Sequence, residues 1–166
     1  MPSGSTTDIE QLLVRIAADY PDLQFIESNQ FAWHAGKKRV AYRKSGKNPS
    51  HSMFSLLHEL GHAVLEHKNY THDIELVQLE VAAWQKAREL GERYGITLDN
   101  DHVQDCLDTY RDWLHLRATC PACFGRSLQA SERLYRCFNC QTEWQVSRSR
   151  LCRPYRLTKS LLQPTA

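Results

Sequence analysis

Residues 120–140 read CPACFGRSLQASERLYRCFNC and hold two Cys-x-x-Cys pairs, Cys120 with Cys123 and Cys137 with Cys140, separated by 13 residues. No other feature of the chain restricts its folding as much. Four thiolates in this arrangement close a tetrahedron around one ion and leave no open position, which is the coordination of a structural zinc. The segment between the pairs, SLQASERLYR, suits a short hairpin. In a reducing compartment such spacing favours metal over a disulfide framework. Cys106 and Cys152 fall outside the pattern, and the first is expected to be a buried thiol on a helix face.

Four cysteines account for about one small module, and the chain is longer than that. Its 166 residues allow one cored domain with a module appended, and 42% apolar with 24% charged residues is ordinary globular composition. The opening MPSGSTTDIE lacks a secretory pattern, and no apolar run is long enough to span a bilayer, so a soluble, cytoplasmic protein with no membrane partner is expected. The net charge of +2 conceals a division. Residues 1–116 sum to −5 and residues 117–166 to +7. The second part interleaves Arg117, Arg126, Arg133, Arg136, Arg148, Arg150, Arg153, Arg156 and Lys159 with Phe124, Tyr135, Phe138, Trp144 and Tyr155. Phosphate contacts with base stacking would use this mixture, so nucleic acid is the partner expected through residues 117–166. Four zinc-bound thiolates lower the module's charge to about +5, still basic.

The first part reads as helices with a small amount of sheet. DIEQLLVRIAADY has helical spacing. LQFIES and FAWHAGKKRVAYRK suggest strands, the latter a hairpin turning near AGKK, and RVAYRK is expected at an edge where it could pair with an extended peptide. Ser50 or Ser52 would cap the next helix, and two more follow, DIELVQLEVAAWQKARELGERYG and DNDHVQDCLDTYRDWLHLRAT.

The helix beginning near Ser50 contains FSLLHELGHAVLEH. Residues four apart share a helix face, so His58 and His62 can direct two imidazoles at one zinc ion while Glu59 stands beside it as proton acceptor. This is the equipment of metal-assisted hydrolysis, in which zinc acidifies water to a pKa of about 7. Gly61 weakens such a helix by about 1 kcal/mol relative to Ala and implies that a neighbouring backbone approaches there. A catalytic zinc takes a third protein ligand, for which His67, His72, Glu75 and Glu80 are candidates. Glu80 ranks first, because Leu76, Val77, Ala83 and Trp84 make its face apolar and an unpaired carboxylate there is expensive. His72 ranks second; His67 lies off the ligand face of a continuing helix. Tyr70, Tyr94 and His102 are possible donors to a transition state.

HELGHAVLEH followed by Glu80 in LEVAAWQKA resembles the ImmA/IrrE metallopeptidases, compact gluzincins, over about residues 8–95. The resemblance implies His58, His62 and Glu80 as zinc ligands, Glu59 as catalytic base, and repressor-like proteins as substrates. Trp84 stands where that family often has Asn or Asp, and the four-cysteine module, which resembles zinc ribbons in general, is not a usual part of its core. The expectation is therefore an α+β chain: a helical minimal-gluzincin metalloprotease core with a small hairpin sheet over 8–117, a four-cysteine zinc ribbon over 118–146 and a basic tail over 147–166. It would use two zinc ions, one catalytic and one structural, to cleave a protein substrate, with the ribbon directing it to DNA or to a DNA-bound regulator. Two alternatives stand beside it. One is a SprT-like protease acting on DNA-attached proteins, which resembles this chain in pairing HExxH with a zinc module but uses a third histidine. The other is a non-catalytic zinc protein that binds nucleic acid or protein.

Overall fold

The computed structural model describes residues 8–44, 46–147 and 156–158. The expected roles of Arg148, Arg150, Cys152, Arg153, Tyr155 and Lys159 fall outside this set. The architecture is α+β, with four α-helices and two small sheets among the described residues. Two compact units divide the chain, Met1–Asn69 with Leu79–Val103 and Tyr70–Gln78 with Gln104–Ala166, so the division passes through two helices. No helix among the described residues is long and apolar enough to cross a membrane.

In the first unit, α1 (Ile9–Asp19) buries Ile9, Leu12 and Ile16, the spacing of one helix face. Three strands follow, β1 (Gln24–Glu27), β2 (Ala32–His34) and β3 (Arg39–Tyr42), in the order β1-β3-β2. β2 and β3 form the expected hairpin, closed by a single turn of 3₁₀ helix at Ala35–Lys37 with Lys38 left-handed at φ 46°. β1 joins β3 in parallel, with Phe25 opposite Val40. RVAYRK is therefore the central strand and its backbone is already paired on both sides. The edges open to an extended partner are β1 and β2.

Helix α2 (Pro49–Val64) starts from Asn48, whose side-chain oxygen accepts from the backbone N–H of Ser50 and of His51, with Pro49 at the first helical position. Neither expected serine is the cap. Ser52 Oγ instead bonds back to the Asn48 carbonyl, and Ser55 Oγ to that of His51. The helix is buried on more than one side, with Phe54, Leu56, Leu57 and Leu60 in the core. Helix α3 (Asp73–Tyr94) contributes Ala83, Trp84, Ala87 and Leu90.

The second unit contains α3 as far as Gln78, most of α4 (Asn100–Ala118), and a sheet of four strands, β4 (Leu128–Ser131), β5 (Leu134–Arg136), β6 (Glu143–Val146) and β7 (Arg156–Thr158), each antiparallel to the next. β4 and β5 are the hairpin expected between the cysteine pairs. Along α4, Val103, Leu107 and Trp113 are buried, whereas Cys106, expected to be buried, is half-buried. The module's core is Cys120, Tyr135, Cys137, Trp144 and Val146.

A buried ion pair ties these elements together. Arg117 grips Asp73 with two hydrogen bonds, Nε to Oδ2 at 2.7 Å and Nη2 to Oδ1 at 3.2 Å. Tyr135 donates to the same carboxylate at 2.6 Å, and burial together with that carboxylate raises the phenol above its usual range. Trp144 Nε1 donates to the Arg117 carbonyl at 2.9 Å, and the guanidinium lies over the Trp113 ring. Arg117, Tyr135 and Trp144 are thus committed to the interior, at 3%, 1% and 0% exposure, and present neither charge nor ring face to a nucleic acid.

Candidate metal centres

The four ribbon cysteines come together, their ligand atoms all within 4.8 Å of one another. The two knuckles are built alike. In the first, Cys120 N–H bonds to the Gly125 carbonyl and Phe124 N–H to that of Cys120; in the second, Cys137 N–H bonds to Thr142 and Gln141 N–H to Cys137. Each knuckle ends on a left-handed residue at the same position, Phe124 at φ 59° and Gln141 at φ 61°. Sγ separations of 3.6 Å for Cys120 to Cys140 and 3.5 Å for Cys123 to Cys137 lie near the edge of a zinc–thiolate tetrahedron, about 3.8 Å for bonds of about 2.3 Å. The local electrostatics favour thiolates at Cys137 and Cys140. The backbone N–H of Cys140 leads in pulling the Cys137 thiol down to about 6, and the Thr142 hydroxyl lowers Cys140, while burial raises Cys120.

The second centre lies where α2 meets α3 in the first unit. His58 and His62, one turn apart on α2, aim their Nε2 atoms at the Glu80 carboxylate of α3. His58 Nε2 is 3.1 Å from Glu80 Oε2, His62 Nε2 is 3.5 Å from Oε1, and the two Nε2 atoms are 3.1 Å apart. A tetrahedral zinc with N and O ligands at about 2.0–2.1 Å holds its donors about 3.3 Å apart. The three separations bracket that edge, so this donor set fits such an ion in both chemistry and size. Burial acts to raise the Glu80 carboxyl, but hydrogen bonds and charge from His58 and then His62 outweigh it and hold the group below the usual carboxylate range.

Close helix packing makes this convergence possible. A Cβ built on Gly61 would lie 2.5 Å from the Ala83 carbonyl oxygen. The backbone that the sequence placed against Gly61 is therefore that of α3, one turn beyond Glu80. Trp84 stacks on His58 with ring centroids 4.2 Å apart and planes 25° from parallel, fixing that imidazole by its face. Glu59 is half-exposed and engaged by no hydrogen bond or ion pair among the described residues.

The other third-ligand candidates lie elsewhere. His72 Nδ1 is 3.5 Å from Glu75, both side chains well exposed, and Glu75 accepts from the backbone N–H of Thr71 and His72, which lower its pKa. His67 is behind His62, with Nδ1 atoms 2.8 Å apart; burial, then the neighbouring His62, lowers its pKa. Of the transition-state donors, the Tyr94 hydroxyl is occupied by Asp19 at 2.8 Å. His102 stacks on His51 and meets Trp84 edge-on, and Tyr70 belongs to the other unit. Trp84 and His67 are the residues around this centre whose parts sequence reasoning missed.

A search of protein-family models, of curated proteins and of solved structures found nothing that matches this chain.

Proposed function

We propose that the chain is a zinc-dependent endopeptidase of the compact gluzincin kind, acting on a protein substrate. The observation that carries this reading is the convergence of His58, His62 and Glu80 at tetrahedral edge distances with the unengaged Glu59 directly after the first ligand. Zinc, when bound, supplies Lewis acidity to a substrate carbonyl and acidifies water. The chain's own residues do the rest. Glu59 takes the proton of the attacking water and delivers it to the leaving amine. The edge strand β2, packed on α2, offers backbone groups to an extended peptide.

Glu80 as third ligand favours the gluzincin arrangement over a three-histidine SprT-like one, because His72 is turned toward Glu75 instead. The ribbon is the targeting element of the proposal. Phe124 and Phe138 are 75% and 68% exposed at the knuckle tips, and Arg126 and Arg133 are exposed nearby in sequence. With the basic segment from 148 onward, these residues suit single-stranded or distorted nucleic acid carrying the protein substrate.

The test is metal content and hydrolysis together. The full chain should hold two zinc ions and cleave members of a mixed peptide library, with products read by mass spectrometry. Replacing His58 and His62 should remove one zinc and all cleavage. A chain with two zinc ions that cleaves nothing across the library would favour the non-catalytic zinc protein.

A further inference from the structure

The two histidines of the α2–α3 centre are held by different means. His58 is clamped by its ring face on Trp84, and its Nδ1 has no hydrogen-bond partner among the described residues. His62 Nδ1 has one, the Nδ1 of His67 at 2.8 Å.

The end of α2 explains why His67 is there. Leu65 caps the helix, Glu66 follows in the left-handed conformation at φ 52°, Glu66 N–H bonds to the Ala63 carbonyl, and His67 N–H bonds to that of His62. These bonds form the Schellman motif, in which the second residue past the cap folds back over the residue three positions inside the helix. A pair of apolar side chains normally meets there, and a glycine normally takes the left-handed position. Here the meeting pair is His67 and His62, and a glutamate accepts the left-handed backbone. Trp33 then fixes the reversal from the sheet side, donating from Nε1 to the His67 carbonyl at 2.9 Å.

We propose that His67 is a positioning residue for the metal centre: its Nδ1 lone pair accepts the Nδ1 proton of His62, which holds His62 in the tautomer whose Nε2 lone pair faces Glu80 and His58. Ligating histidines are commonly oriented in this way by a carboxylate or a carbonyl. In this chain a second imidazole, delivered by the helix terminus itself, takes that part. The inference rests on the metal centre of the preceding section but not on peptide hydrolysis.

Two substitutions separate hydrogen bonding from packing. Asn places its Oδ1 where His places Nδ1, so His67→Asn keeps an acceptor. His67→Leu keeps bulk and the apolar contact usual in a Schellman motif but has no acceptor. Zinc affinity is measured on the full chain by chelator competition, with the four-cysteine site as internal reference. We expect His67→Leu to weaken the second zinc about 10–100-fold, His67→Asn to stay within about threefold of the parent, and the four-cysteine affinity to be constant. In parallel, nitrogen-15 NMR of the zinc-loaded parent should find the His62 Nδ1 proton coupled across the hydrogen bond to Nδ1 of His67. Parent-like affinity in His67→Leu, equal losses in the two variants, or no coupling between the two Nδ1 atoms in the zinc-loaded parent would each overturn the proposal. The NMR reading decides even if a variant fails to fold. Unaltered affinities with active hydrolysis would remove the role of His67 alone, whereas the expected affinity losses in a parent that cleaves nothing would remove the peptidase reading alone.

Discussion

Gly61→Ala is a severe probe of how the α2–α3 centre is assembled. On local grounds the change should help, since Ala is favoured over Gly in a helix interior by about 1 kcal/mol. The crossing opposes it. The new Cβ would sit 2.5 Å from the Ala83 carbonyl oxygen, and a backbone atom cannot rotate out of the way as a side chain could. Restoring ordinary contact requires α2 and α3 to part by about 0.5–1 Å, and overpacking of this sort costs about 1–3 kcal/mol. The net expectation for stability is a loss of about 0–2 kcal/mol. For metal the expectation is harsher, because Gly61 adjoins His62 and Ala83 lies one turn from Glu80, so the separation opens the donor triangle itself. Sites of this kind tolerate only about 0.5 Å. Zinc affinity at this centre should fall at least about tenfold while the four-cysteine site is unaffected. Denaturant unfolding of the metal-free protein gives the first quantity and chelator competition the second. A variant more stable by about 1 kcal/mol that binds both zinc ions as the parent does would refute the reasoning.

Glu80→Ala should weaken the second zinc, while His72→Ala should leave it unchanged; the reverse pattern in chelator competition would transfer the third ligand to His72. Arg117→Ala strands a buried Asp73 carboxylate, and breaking such a pair costs about 3–5 kcal/mol, so unfolding of the full chain by denaturant should shift accordingly. Arg117→Lys should not rescue it, because an ammonium cannot reproduce the two-pronged contact. Single-stranded oligonucleotides should bind the full chain with a slope of log K against log salt of roughly −2 to −4, from about four engaged cations. Phe124→Ala should cost about 1–3 kcal/mol of that affinity, and absence of binding at low salt would leave the ribbon as a structural or protein-docking module.

How far the sequence could be read depended on whether local spacing or tertiary context decided each feature. The cysteine knuckles and the HELGH helix are local, and their spacing alone brings candidate donors together. The place of Glu80 beside His58 and His62 was legible for an energetic reason, since a carboxylate among Leu76, Val77, Ala83 and Trp84 needs an electrostatic partner. Gly61 announced a close approach but not which backbone made it. The place of β3 was hidden because β1 pairs with it across an intervening strand, and short strands do not encode their order. The α2 cap was ambiguous among Asn48, Ser50 and Ser52, all capable residue types. His67 stays out of the donor group as expected, but its place beside His62 was hidden, because the helix ends on a left-handed glutamate, a conformation the residue type does not favour. Arg117, Tyr135 and Trp144 looked like an interface by composition. Asp73, which claims two of them, is distant in sequence and ordinary in its surroundings.

The most direct test of the central claim is Glu59→Gln in the full chain, measuring zinc content and peptide cleavage on the same preparation. Among the described residues no hydrogen bond or ion pair joins Glu59 to the donors, so the account predicts two zinc ions per chain, parent-like affinity at both sites and cleavage reduced by at least about 10²-fold, the lower end of what a positioned proton acceptor contributes. Cleavage at the parent rate with both zinc ions in place would contradict the account, because hydrolysis would then proceed without the residue assigned to move its proton.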